Sequence, residues 1–206
     1  GQELLNDLNG IGIKGLSMWQ RPFRQMTNSK KAIQLPQDLA GMKFRVPNNP
    51  LWVEFFGKMG AAPTPMAFGE VYNALQMKVV DGQENTWSNI YGQKFFEVQD
   101  GTTETNHGII DYMLVTNTDW WDGLPDDVRT QLATIVEEVT TSRNAESTTV
   151  DLEARAAIIA TGAVVRELTP EQREAWITAM KPVWEQFTAD VGQENIDAAQ
   201  AINAQF

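Results

Sequence analysis

From Asp126 to Thr161 the chain meets neither proline nor glycine, and Leu124-Pro125-Asp126-Asp127 and Gly162 supply a helix start and a stop. About 36 residues rising ~1.5 Å each reach ~54 Å, longer than one small domain is wide. A helix of that length is expected to span two domains. The 206 residues of the chain exceed one average domain but fall short of two complete ones. Hydrophobic residues, at 42%, suffice for a core beneath such a helix.

The sequence before this helix has a different rhythm. Gln2 to Leu8 reads as the end of a helix closed by Gly10, which predicts that further sequence precedes Gly1 in the intact protein. Ile13 to Trp19 and Phe23 to Thr27 read as strands separated by Arg21-Pro22. Pro36 to Leu39 reads as one helical turn stopped by Gly41, and Met42 to Val46 as the next strand. Asn49 caps a helix with Pro50 at its first position, and Leu51, Trp52, Phe55, Phe56 and Met59 form its apolar stripe. A strand over Ala62 to Met66 precedes a helix over Gly69 to Lys78. Asp81 to Asn85 reads as a loop, with Asp81 and Glu84 as its capping carboxylates, before a helix from Thr86 to Val98. This βα alternation predicts an open, largely parallel sheet covered by helices.

Strands are expected near Thr102 to Asn106 and Tyr112 to Val115, with Trp120-Trp121 packing under the long helix. Thr169-Pro170-Glu171-Gln172 is a capping box opening another helix, which Pro182 should kink or divide. The longest near-apolar run, Ala156 to Val165, is far below the ~20 residues needed to cross a bilayer.

The absence of cysteine removes disulfides, thiolate catalysis and cysteine-bound zinc. A cluster of several histidine ligands is impossible with His107 alone, and a Ser-His-Asp machine would have to be built on it. His107 reads more readily as a hydrogen-bonded structural residue. Residues 1–94 carry ten Lys/Arg against seven Asp/Glu, whereas residues 95–206 carry six against twenty. The acidic half keeps helical surfaces soluble, and the first half has room for an anion site. The total field, at −11, and the lack of a basic stripe disfavour nucleic acid.

Arg45 stands where the strand in Met42 to Pro47 gives way to the Asn49-Pro50 helix. Ligands of open α/β sheets gather at the carboxyl ends of strands, and a guanidinium there can grip a carboxylate through two parallel bonds. A surface arginine or an internal salt bridge is the alternative. Asn85 precedes another helix start, either as a helix cap or as a ligand for a carboxylate or hydroxyl. Trp19 and Phe68 either wall a ligand or belong to the core.

Several longer stretches occur in order: Phe23-Arg24-Gln25-Met26-Thr27-Asn28, Leu39 to Pro47, Gly60 to Tyr72, Asn73 to Asn85, Gln93 to Gln99 and Thr105-Asn106-His107-Gly108. The series resembles the solute-binding proteins of tripartite ATP-independent periplasmic (TRAP) transporters, of the four-carbon-dicarboxylate type, over essentially the whole chain. The resemblance implies a periplasmic-binding-protein fold, two α/β domains around a cleft with a long domain-spanning helix, and the N-terminal part of the first domain absent here. It implies a remnant of the first domain over 1–22 and a second α/β domain with the main binding motifs over 23–110. The chain would return to the first domain and begin the long helix over 111–150. The rest of that helix and the C-terminal helices would pack across both domains over 151–206.

By matching motifs, Arg45 resembles the arginine that pairs with the substrate carboxylate and Asn85 the asparagine supporting it. Arg24 resembles a second cleft arginine, Asn48 a polar contact and Phe68 the aromatic wall. Arg21-Pro22 and Thr86-Trp87 depart from the usual Asn-Gly and from a proline after the asparagine, which bears on substrate identity. The implied partners are a small organic carboxylate and the transporter's membrane subunits, in the periplasm, with no cofactor, no metal and no insertion of this chain into the membrane. Sugar acids, keto acids and aromatic acids compete with four-carbon dicarboxylates as ligand. A ligand-sensing receptor domain and an α/β enzyme acting on organic acids are the other classes.

Overall fold

The computed structural model describes residues 1–203, so the last three residues of the expected C-terminal helical segment lie outside the described residues. Two sheets organise the chain. Strands β1 (Ile13–Trp19) and β7 (Tyr112–Asn117) pair antiparallel with each other. The second sheet has the order β4-β3-β5-β2-β6-β8, built from β2 (Gln25–Asn28), β3 (Lys43–Val46), β4 (Ala62–Pro65), β5 (Gly82–Asn85), β6 (Gly101–Glu104) and β8 (Val165–Glu167). β3 runs parallel to β4 and β5, and β6 parallel to β8. β2 is antiparallel to both of its neighbours. The carboxyl ends of β3, β5 and β6 and the amino end of β2 therefore share one edge of the sheet.

Helices cover both faces. Met26, Phe44 and Val46 meet Phe55 and Phe56 of α2 (Pro50–Lys58) and Trp176, Met180 and Val183 of α7 (Pro170–Gln186). The opposite side is closed by Val71 and Leu75 of α3 (Val71–Gln76), Trp87 and Ile90 of α4 (Trp87–Gly92), and Ala154 and Ile158 of α6 (Asp126–Ala160). α1 (Gln2–Asp7) lies against β1, and α5 (Thr118–Asp122) follows β7. Trp121 of α5 is buried, whereas Trp120 is exposed. α8 (Thr188–Val191) and α9 (Gln193–Asn203) complete the described chain.

The uninterrupted stretch forms α6, 35 residues long. Its first half meets β1, where Trp19 Nε1 donates to Thr140 Oγ1 at 3.0 Å and Asn144 Nδ2 donates to the Met18 carbonyl at 3.1 Å. Its second half meets α4, where the Ser88 amide donates to Asp151 Oδ1 at 2.8 Å. One helix thus ties together two separate sheets. Among the described residues no helix is long and apolar enough to cross a membrane.

Five local expectations are corrected. Residues 82–85 are not a loop but the buried strand β5. The helix expected over Thr86 to Val98 breaks after Gly92, because Lys94 takes a left-handed φ of 57° before a 3-10 turn over Phe95–Val98. The helix expected over Gly69 to Lys78 begins as a 3-10 turn over Phe68–Glu70 and ends at Gln76, two residues before Lys78 takes a φ of 58°. Pro182 lies inside α7 without dividing it. Burial of Trp176, Met180 and Val183 on either side of it offsets a proline penalty of ~3 kcal/mol. Leu51, counted in the apolar stripe of α2, points outward from the first turn and is exposed.

Candidate functional site

Residues directly opposite one another in a sheet share a face. Arg45 faces Gln83, Thr27 faces Gln83, and Gln25 faces Asn85, so these polar side chains stand on one side of the sheet. Glu84 faces Met26 and belongs to the other. All of them are buried. Central strands are usually apolar, and here the sheet carries polar groups at the edge where ligands of α/β proteins collect.

Arg45 is 3% exposed. Its Nε and Nη2 both donate to the Met66 carbonyl, at 3.1 and 2.7 Å. Among the described residues Nη1 makes no hydrogen bond, and it is not sealed from solvent. No described carboxylate lies within ion-pairing distance of Arg45. Burial pulls it below the ordinary arginine value, Glu84 opposes that, and the nearby charge of Arg24 adds to it.

Arg24 is buried against Glu84. Its Nε is bonded to Glu84 Oε2, while Nη2 donates to Glu84 Oε1 at 2.9 Å, the Glu84 carbonyl at 3.0 Å and Asn85 Oδ1 at 3.1 Å. Glu84 also meets His107 Nε2 at 3.2 Å, and His107 Nδ1 meets Thr105 Oγ1 at 2.7 Å. Trp52, Phe55 and Phe56 surround the imidazole. Burial pushes Glu84 up, but the charge and hydrogen bond of Arg24, with the hydrogen bond of His107, carry it below the usual carboxylate range. Burial pulls His107 down against the pull of Glu84, which keeps the ring neutral. The charges at this edge are therefore two guanidinium cations and one carboxylate, a local balance of +1.

Asn85 accepts from Arg24 and from Asn89 Nδ2 at 2.9 Å, and donates to Gln83 Oε1 at 2.8 Å. Thr86, rather than Asn85, caps α4, its hydroxyl accepting from the Asn89 amide. Asn48 is exposed on the loop after β3, beside Asn49, whose side chain caps α2. Phe68 is half exposed and meets Phe95 edge-on at 5.9 Å.

The structure thus draws Arg45, Asn85 and Arg24 together and leaves Asn48 and Phe68 exposed, outside the buried network. Sequence reading assigned Glu84 to loop capping, and this is corrected: it is the buried counter-ion of Arg24. Asp81 does cap, accepting from the Lys43 amide at 2.8 Å and pairing with Lys30 at 3.0 Å. Asn89, which donates to Asn85, carried no signal beyond its nearness to Asn85 in sequence, and Arg21, which donates to Asn89, stood out only as a departure from the usual Asn-Gly.

No group of three or more His, Asp or Glu side chains suited to a metal ion occurs among the described residues. A cavity of about 510 Å³ lies elsewhere, between β1 and α6, lined by Leu5, Leu16, Met18, Trp121 and Val136 among others. Lys14, Ser17, Glu137 and Thr140 also line it, but among the described residues no buried ion pair like Arg24–Glu84 does.

Residues 1–190 match the family model described as bacterial extracellular solute-binding protein, family 7. The chain is 55% identical to the C4-dicarboxylate-binding periplasmic protein DctP of Vibrio cholerae over 203 residues, which cover 98% of this chain and 61% of that protein. A TRAP periplasmic solute binding protein of Shewanella oneidensis with bound succinate superimposes with a TM-score of 0.95 at 39% identity, covering 98% of this chain and 67% of that one. Another, from Pseudomonas aeruginosa with bound L-malate, gives 0.86 at 37% identity over 90% of this chain and 64% of that one. The chain spans about three-fifths of the length of the curated relatives it matches.

Proposed function

Because the chain belongs to the family 7 bacterial extracellular solute-binding proteins, we propose that it is the carboxylate-gripping part of a periplasmic receptor for a TRAP transporter, with a four-carbon dicarboxylate as its ligand. One observation carries this reading. Arg45 is buried at the carboxyl edge of the sheet with no carboxylate partner among the described residues, beside an Arg24–Glu84 pair that neutralises itself. A buried cation without a counter-ion is costly, and an incoming carboxylate removes that cost. The name of the Vibrio relative and the succinate and malate in the two solved structures support the choice of ligand.

In this reading the ligand carboxylate accepts from the Arg45 fork while Asn85 donates from its amide. The open edge of Arg24 meets a second anionic or hydroxyl group. Asn48 and Phe68 line the rim. Residues 23–110 form the gripping domain, residues 1–22 and 111–150 belong to the facing one, and the described residues from 151 onward pack across both. A ligand held from both sides favours the closed form by its differential affinity. The closed receptor is then the form the membrane subunits recognise. The reading is of binding rather than turnover, since both ring nitrogens of His107 are engaged by Thr105 and Glu84.

Calorimetric titration of the full-length protein with succinate, malate, galacturonate, pyruvate and benzoate tests the proposal. Tight binding of the four-carbon diacids and weak binding of the others is expected. Preference for the sugar acid would move the ligand class, and no binding of any acid would remove the function.

A further inference from the structure

The hydrogen bonds around Asn85 all run one way. Arg21 Nη2 donates to Asn89 Oδ1 at 3.2 Å, Asn89 Nδ2 to Asn85 Oδ1 at 2.9 Å, and Asn85 Nδ2 to Gln83 Oε1 at 2.8 Å. Gln83 Nε2 then donates to Thr27 Oγ1 at 3.1 Å. Amides and hydroxyls both donate and accept, so the middle of the chain does not dictate its direction. A guanidinium only donates. Arg21 therefore obliges Asn89 to turn its oxygen outward and its NH2 toward Asn85. Asn85 must answer with its own oxygen, as it also does to Arg24.

Arg21 stands on the segment crossing from β1 to β2. Its backbone amide donates to Asp111 Oδ1 at 2.8 Å, on the segment returning to β7, and its guanidinium lies 5.0 Å from the centre of the Tyr112 ring. Nη2 also reaches Thr86 Oγ1 and Ser88 Oγ, each at 3.1 Å, at the start of α4. Every oxygen the guanidinium grips belongs to a neutral side chain. Its Nε is buried without a hydrogen-bond partner. The fork is thus held on α4 at the expense of its own best satisfaction.

We infer that Arg21 is a positioning residue for the carboxylate site: an obligate donor that turns Asn89 so that it joins Arg24 in holding the Asn85 oxygen, which leaves the Asn85 N–H for the bound acid, and that fastens this amide to both crossing segments. The inference rests on the reading of Arg45 and Asn85 as the carboxylate site. A reversed Asn85 would aim a carbonyl oxygen at a carboxylate, which repels it. Linkage to both crossings also makes the amide's orientation depend on how the two sheets sit.

The test is succinate titration of the full-length protein by calorimetry. Arg21→Met is expected to weaken binding about ten-fold, while Arg21→Lys, still a donor only, stays within about three-fold of the parent. Asn89→Leu cuts the chain one link further on and should weaken binding similarly, adding little to Arg21→Met in the double variant. Unchanged affinity in Arg21→Met, equal losses in the Met and Lys variants, or additive losses in the double variant would overturn the inference. Arg45→Ala separates the two levels. If it abolishes binding while Arg21→Met leaves the affinity unchanged, only the positioning role falls. If it leaves binding intact, the carboxylate site falls as well.

Discussion

Truncating Arg45 to alanine should remove most of the affinity for a dicarboxylate while leaving the protein folded. In the ligand-free protein, two cations and one carboxylate leave a balance of +1 at the sheet edge, which one ligand carboxylate neutralises. Without Arg45 the Arg24–Glu84 pair is already neutral, and the same carboxylate enters uncompensated. Two unit charges 4 Å apart attract by about 4 kcal/mol at an effective dielectric of 20. Loss of one partner from a buried, hydrogen-bonded charge pair costs about 2–5 kcal/mol, roughly 30- to several-thousand-fold in Kd. The ligand-free fold changes less, because two effects oppose. The Met66 carbonyl loses donors at 3.1 and 2.7 Å, but a buried cation without a counter-ion is also removed. Arg45→Lys should fall between parent and alanine, since an ammonium cannot hold the Met66 carbonyl and a carboxylate with one planar fork. Titration calorimetry gives Kd, and thermal unfolding without ligand checks the fold. A folded Arg45→Ala protein binding succinate within about three-fold of the parent would defeat the charge-balance account.

Three further outcomes follow from the same geometry. Glu84→Gln leaves Arg24 buried without its charge partner, so stability should fall by about 3–5 kcal/mol in denaturant unfolding; no change would mean the pair is unimportant to the fold. Folded His107 resists protonation, so stability should decline as pH drops through 6.5, where the unfolded chain takes up the proton. The Glu84 contribution persists to lower pH and is lost only below 4.5, as its depressed folded value is crossed. Urea titrations across this range check the sign, which a stability maximum at pH 5 would contradict, and His107→Gln should flatten the upper step. Gly82→Ala would put a Cβ 2.4 Å from the Thr27 carbonyl and 2.7 Å from Phe44, so a loss of about 1–3 kcal/mol is expected in the same assay; parent-like stability would show that the sheet relaxes freely there.

How far the site could be read from sequence depends on how local each signal is. The place of Arg45 and Asn85 at strand-to-helix junctions was legible because such junctions carry short-range marks, the Asn49-Pro50 start of α2 and the Thr86 cap of α4. Glu84 was hidden. Gln83, Glu84 and Asn85 are polar and follow Asp81-Gly82, which is the composition of a loop, yet they form a buried central strand. They tolerate that burial because Arg24, Thr27 and His107 satisfy them, from positions 23 to 61 residues away in sequence. No window of neighbouring residues contains that information.

Local chemistry alone set the long α6, the capping box of α7 and strand β1, because caps and helix breakers act within one turn of where they stand. Which arginine keeps a free edge was settled by the packing of distant strands. β2 inserts antiparallel between β5 and β6 and brings Arg24 onto Glu84, while β3 beside β5 leaves Arg45 with a backbone carbonyl. Two arginines of the same chemistry thus differ in charge compensation because compensation is a property of neighbours in space.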